Sequence, residues 1–422
     1  MARSISARVG AFGRPAAANR WPIREVAGGA WATGAAGIVG DEFDATVGVV
    51  AQAPSTTASK TKTGIRMART MPFESPGGNA CHRTVSGLKR DMTAKYDVVA
   101  VGNAIIDVIK SVSDALLDQE NIAKGAMTLI DDARANHLTS LFAGATVAAG
   151  GSAANTATGI ASFGGTAAYI GKVADDDLGA QFTREFRGAG VAFETPARRA
   201  PPGTARSLIG VTPDGQRSMN TYLGASTLLD TSDIDAGLIR SGATLFLEGY
   251  LFDRDEAKAA FVHAAEIARS VERKVALTLS DKFCVDRHRV SFQHLVAGHV
   301  DILFSNEAEI LSLYETADLG EALATARRNC PVVIVTRSEK GSLIAADTQT
   351  VEVAPIPVAR VVDTTGAGDQ YAAGFLYGYA KARTLAECGA LASLAASEVI
   401  SHVGPRPETN LRALALKSSF RV

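Results

Sequence analysis

The sequence predicts an α/β fold with a mostly parallel sheet, and three observations carry that expectation. After Met92, short apolar runs at 97–102, 167–173, 244–247, 274–278, 302–304 and 331–335 alternate with helical stretches such as 178–186 and 255–271. That is the βαβ rhythm of a parallel sheet. Several of these runs end in a cluster of polar residues, where open α/β sheets bind ligands. Finally, two extended runs, 205–211 and 216–222, are joined by Thr212-Pro213-Asp214-Gly215, a strong turn signal. They read as an antiparallel hairpin inserted into the parallel pattern, either a lid that excludes water or an ordinary hairpin at the sheet's edge.

Bulk properties exclude several classes. The 422 residues are 46% hydrophobic and 21% charged, as in a globular protein with room for one large α/β domain. A net charge of −1 with no basic stripe argues against nucleic-acid binding. No apolar run approaches the length of a membrane-spanning helix. Cys81, Cys284, Cys330 and Cys388 lie far apart, reading as reduced thiols of a cytoplasmic protein rather than a disulfide or zinc framework. Residues 1–91 differ from the rest, with 12 Lys/Arg against 6 Asp/Glu and no sustained periodicity. They read as a disordered or mis-translated extension, with a faint likeness to an organelle transit peptide. The folded domain is expected over 92–422, with lid segments near 108–130 and 203–224.

The first strand, 97–102, ends in Gly102 without the further glycines of a dinucleotide-binding turn. Asn103 and Asp107 follow. Asp107 reads either as an acceptor for a sugar diol or as a helix cap or surface acid. Segment 112–146 holds a short strand at 126–130 and a helix at 132–142. Gly150-Gly151 then opens a helix of small residues that carries Asn155 in its first turns, placed to hold a substrate hydroxyl or simply to cap. Strand 302–304 runs into Asn306 and Glu309, whose spacing suits an outer-shell magnesium site or a capped helix start. Strand 331–335 leads into Thr336 and Gly341, a loop suited to nucleotide phosphates or ribose.

The most informative stretch is Asp363-Thr364-Thr365-Gly366-Ala367-Gly368-Asp369. Glycines let backbone approach a ligand closely, and unpaired amides at a helix start favour an anion. A carboxylate there would repel that anion unless its task were to take a proton from a neighbouring hydroxyl. An anion hole with a base at its lip describes phosphoryl transfer to an alcohol.

Gly150-Gly151-Ser152-Ala153-Ala154-Asn155, the Asn306/Glu309 pair and the 363–369 motif, in that order, resemble the defining motifs of the ribokinase-like (PfkB) family of sugar and nucleoside kinases. The resemblance spans 96–405. It implies a three-layer α/β/α sandwich with a Rossmann-like central sheet and a small β-sheet lid. It implies Asp369 as general base and Gly366, Ala367 and Gly368 as anion hole. Asp107, Asn155 and Gly151 would hold the acceptor. Asn306, Thr336, Gly341, Gly404 and the lid's Arg217 would bind ATP. Glu309 would hold Mg²⁺ through water, and Asp363 lies where some members bind a monovalent cation such as K⁺. The partners implied are ATP and a small-molecule acceptor, with no nucleic acid and no membrane, in a monomer or homodimer. Gly102-Asn103 with Asp107, and the 216–218 hairpin, resemble the adenosine kinase branch. On that reading Asn103 and Met219 join a nucleoside pocket, and the reaction is adenosine to AMP. Ser338 and Gln370-Tyr371 depart from the commoner family pattern. The alternatives are a kinase for ribose, fructose or 2-keto-3-deoxygluconate, and a non-catalytic ligand-binding relative, against which the intact motif speaks.

Overall fold

The computed structural model describes residues 94–422. The extension expected at 1–91 lies outside the described residues. The strands in chain order are β1 (Tyr96–Val101), β2 (Ile105–Ser111), β3 (Met127–Leu129), β4 (Thr146–Gly150), β5 (Ala167–Ile170), β6 (Val191–Phe193) and β7 (Ala205–Val211). They continue with β8 (Arg217–Tyr222), β9 (Gly242–Glu248), β10 (Lys274–Thr278), β11 (Ile302–Asn306), β12 (Val332–Thr336), β13 (Ser342–Ala346) and β14 (Gln349–Val353).

Nine of these strands form one sheet in the order β14-β13-β12-β11-β10-β9-β1-β5-β6. The seven from β12 to β6 run parallel, and β13 and β14 close one edge antiparallel. The parallel strands are apolar along their middles because both their faces are covered. Val98, Ala100, Phe246, Ala276 and Ile302 belong to one buried cluster. Their neighbours Val99, Val101, Leu245, Leu247, Val275 and Leu277 belong to another. Alternation along each strand thus divides the core between two faces, which gives the α/β/α sandwich. Helices Ser152–Ser162, Asp177–Gly188 and Ala367–Ala380 cover the first face; Asp255–Ser270 and Lys282–His299 cover the second.

The other five strands form a separate sheet, β3-β8-β7-β2-β4, on one side of the large one. Residues 108–130 and 203–224 supply β3, β7, β8 and most of β2 to it. β7 and β8 pair antiparallel, as the turn signal at 212–215 leads one to expect. Several elements went unread in the sequence, and two of them show why. Helix Lys282–His299 is kinked at His288 (φ −124°, ψ 22°) and scatters five buried residues among Arg and His, so no single period emerges. Strand β4 has only two β-branched residues, Thr146 and Val147, before Ala-Ala-Gly, too short a run to stand out as a strand.

Candidate active site

The parallel sheet sets its functional residues in a row along the carboxyl edge. Asn103 follows β1, Glu248 ends β9, Asn306 ends β11 and Thr336 ends β12. Asn306 and Thr336 are register partners, as are Thr278 of β10 and Glu248. The residues expected to bind ATP therefore lie at one end of the row and those expected to bind the acceptor at the other.

Helix Ala367–Ala380 starts between them. Its N-cap, Gly366, has φ 78°, and a Cβ at this position would meet the carbonyl oxygen and Cα of Pro405 at 2.5 and 2.6 Å. Both the left-handed backbone and the close approach require glycine. The amides of Gly366, Gly368 and Asp369 donate to no described residue, whereas that of Ala367 bonds Thr364 O. These are the orphan donors of a helix start.

Asp369 stands in the first turn. Its Oδ1 accepts from Ser152 Oγ at 2.6 Å and its Oδ2 from Asn155 Nδ2 at 2.9 Å. Burial pushes its carboxyl up to about 6 against the opposing pull of these two hydrogen bonds. Helix Ser152–Ser162 delivers both donors from its first turn because it is capped by Gly151 at φ 102°, beneath the Asn103 carbonyl. The Asn155 amide, expected to meet the acceptor, is thus engaged with Asp369 and, through Oδ1, with Arg406 Nε at 3.2 Å.

On the acceptor side Asp107 is 9% exposed, and its carboxylate accepts no hydrogen bond among the described residues. Burial raises it to about 6, with Arg406 and Arg217 opposing and Asp369 reinforcing. Asn103 is buried, its amide nitrogen 2.7 Å from Glu248 Oε1. Glu248 also accepts from the Ala153 amide at 2.8 Å, and burial lifts its carboxyl to about 7.

On the nucleotide side Asn306 and Glu309 form a reciprocal capping box, with bonds of 3.0 Å from Asn306 N and 2.9 Å from Glu309 N. Burial pushes Glu309 to about 7, and the charge acting on it is another carboxylate, Asp281. Both Glu309 oxygens accept from Asn306, and no basic side chain among the described residues offsets the carboxyl, so the pair fits a divalent cation held by phosphates with Glu309 reaching it only through water. No cluster of three metal-ligating residues occurs among the described residues. Gly341, at φ 74°, turns the chain back into β13. Asp363 is filled by donors: Thr365 N at 3.0 Å, Thr365 Oγ1 at 2.7 Å, Gly404 N at 2.9 Å and the lid's Arg217. Burial works to raise its pKa, but these donors bring it below the usual carboxylate value. With both oxygens occupied and a guanidinium alongside, Asp363 does not fit a monovalent cation in this arrangement.

The chain matches the pfkB family of carbohydrate kinases over residues 97–410. It belongs to that family. The crystal structure of adenosine kinase from Sinorhizobium meliloti is 49% identical, with a TM-score of 0.73, covering 77% of this chain and 100% of that one. A probable sugar kinase from Rhizobium etli is 47% identical, with a TM-score of 0.73, covering 78% and 100%. An uncharacterized sugar kinase from Archaeoglobus fulgidus is 27% identical over 59% of this chain and 96% of its own length. The protein is therefore a kinase that transfers a phosphoryl group to an alcohol.

Around this kinase site the structure gathers residues that sequence reasoning missed. Ser152 lay inside a quoted motif, and its hydroxyl hydrogen was the available signal. Glu248 ends an apolar strand, a place where a buried acid stands out. Arg406 follows Gly404-Pro405 and carries no motif of its own. Met127 and Leu129, 49% and 50% exposed, lie on β3. Register places them: Asp107, Ser207, Thr221 and Leu129 form one row across β2, β7, β8 and β3, and Ile109, Ile209, Met219 and Met127 form the next. Register partners share a face. Arg217, on the same face of β8, reaches Asp363, so this face looks onto the catalytic turn.

Proposed function

We propose that the protein phosphorylates the 5′-hydroxyl of adenosine with ATP, giving AMP and ADP. The observation that carries this reading is the lid face. On the face that carries Asp107 at β2 it presents Met219 on β8 and, at the far edge strand β3, Met127 and Leu129, large apolar side chains of which the last two are half exposed. A diol at the carboxylate and a flat apolar base on the shelf would use both; a simple sugar would leave the shelf wet. The 49% identical relative described as an adenosine kinase supports the same substrate.

In this reading Asp369 takes the proton of the 5′-hydroxyl as its oxygen attacks the γ-phosphorus and ADP departs with the bridging oxygen. Ser152 and Asn155 keep both carboxylate oxygens aimed. The free amides at 366, 368 and 369 meet the charge on the transferred group. Mg²⁺, when bound, neutralises the phosphates, and Glu309 and Asn306 would hold its water. Thr336, Gly341 and Gly404 line the nucleotide end. Closure of the five-stranded lid keeps water from competing as acceptor.

The test is ATP-dependent phosphorylation by the purified chain with adenosine, inosine, ribose, fructose and 2-keto-3-deoxygluconate in parallel. Adenosine is expected to lead in kcat/KM, with the phosphate at the 5′ position. A sugar preferred over every nucleoside would overturn the substrate and leave the phosphotransferase chemistry in place.

A further inference from the structure

Arg406 sits on a loop pinned under the catalytic turn at three points. The Gly404 amide donates to Asp363, Pro405 O accepts from Gln370 Nε2 at 3.0 Å, and Pro405 lies against Gly366. Arg406 Nε reaches Asn155 Oδ1 at 3.2 Å, its guanidinium lies 5.8 Å from the Phe186 ring centroid, and its Nη2 is buried with no partner. An arginine is usually exposed, and one enclosed with a spare donor calls for a reason.

The reason lies in the chemistry of its neighbours. Arginine only donates hydrogen bonds and an ionised carboxylate only accepts them. The Asn155 amide stands between Arg406 and Asp369 and satisfies both in one orientation alone: oxygen to the guanidinium, nitrogen to the carboxylate. Turned over, it would set oxygen against carboxylate and NH₂ against guanidinium. The positive charge of Arg406 also favours the ionised form of the buried Asp107, against the like charge of Asp369.

We propose that Arg406 is a positioning residue for phosphoryl transfer: it fixes the Asn155 amide so that Asp369 is held toward the acceptor hydroxyl, and it sets a fixed positive charge against Asp107. The proposal rests on the reading of Asp369 as base. The groups facing Asp107 are Arg406 from the C-terminal loop, Arg217 from the lid and Asp369 from the catalytic helix. Removing Arg406 leaves Asp107 with one cation and one like charge, which favours its protonated form.

The experiment is a double-substitution cycle in the full chain, Arg406→Met, Asn155→Ala and both together, with Arg406→Lys beside them, reading kcat and KM from pH 5 to 9. Arg406→Met is expected to lower kcat by about ten-fold or more and to move the acid limb of kcat/KM to higher pH. In the Asn155→Ala background its effect on kcat is expected to shrink to about two-fold, since the two residues act as one unit. Arg406→Lys, which keeps the charge and much of the stem, is expected to restore the position of the limb. Fully additive effects with an unmoved limb would overturn the proposal, as would a folded Arg406→Lys whose limb coincides with that of Arg406→Met. Should Arg406→Met fail to fold, Arg406→Gln, which keeps a hydrogen-bonding head without the charge, takes its place in the cycle with the same expected and overturning results. An active Asp369→Asn would sink the base reading itself, while an inactive one with additive effects would sink only the role of Arg406.

Discussion

The two sheets treat their buried carboxylates in opposite ways. At the carboxyl edge of the nine-stranded sheet the polar side chains are bonded to one another before any ligand arrives. Asp369 holds Ser152 and Asn155, Glu248 holds Asn103 and Ala153, Asn306 and Glu309 hold each other, and Asp363 is filled by four donors. On the five-stranded lid, Asp107 accepts no hydrogen bond from the described residues, and Met127 and Leu129 stand half exposed on the edge strand of the same sheet. Pre-built hydrogen bonds fix geometry and lower the reorganisation needed during reaction. Unsatisfied groups await a guest. The proposed function accordingly puts chemistry on the floor and recognition on the lid, with Arg217 of the lid in contact with Asp363 of the floor.

That division can be broken in order of effect. Asp369→Asn should remove the base from the floor and lower kcat by about 10²–10⁴-fold with KM little changed, as steady-state kinetics would read. A comparable rise in KM with kcat intact would assign Asp369 to binding instead. Gly366→Ala puts a Cβ against Pro405 at φ 78°; a cost of about 1–3 kcal/mol and a fall in Tm are expected, with activity lost alongside. On the lid, Met219→Ala should raise the acceptor KM by about 5–30-fold, the worth of a lost apolar contact of about 1–2 kcal/mol, while kcat holds.

The pH dependence sharpens the same contrast. Asp369 and Asp107 both titrate near 6, and each must be ionised to act, so kcat/KM should fall as pH drops below about 6. A flat profile from pH 5 to 8 would contradict both assignments. The smallest effect expected is on stability. Burial raises Glu248 from 4.5 to about 7, so its contribution to stability is full below the lower value and is lost as pH rises through the higher one. Glu248→Gln should therefore flatten the decline of unfolding free energy between pH 5 and 8, measured by denaturant titration.

The floor was largely legible in the sequence because its chemistry is local. The glycines, Asp369 and the Asn306/Glu309 pair each sit within a few residues of a strand end or helix start, where spacing reports geometry. The lid face was not, because it is made by register. Met127 became a neighbour of Met219, and Asp107 joined a row with Leu129, only through pairings across four strands. Arg406 was hidden for the same reason: 251 residues separate it from Asn155, and a lone arginine after Pro405 carries no pattern. Met219, read as a pocket residue, is the register partner of Met127 and Ile209, while Asn155, read as an acceptor ligand, is held by Asp369 and Arg406.

The division of labour is tested most directly by replacing Met127 and Met219 together with serine and measuring kcat and KM for the preferred acceptor. The account expects kcat/KM to fall by about ten-fold or more through KM, with kcat within about three-fold of wild type and the Asp369 pH limb unmoved. A fall carried by kcat, with KM and acceptor preference unchanged, would mean that the lid face does not read the acceptor.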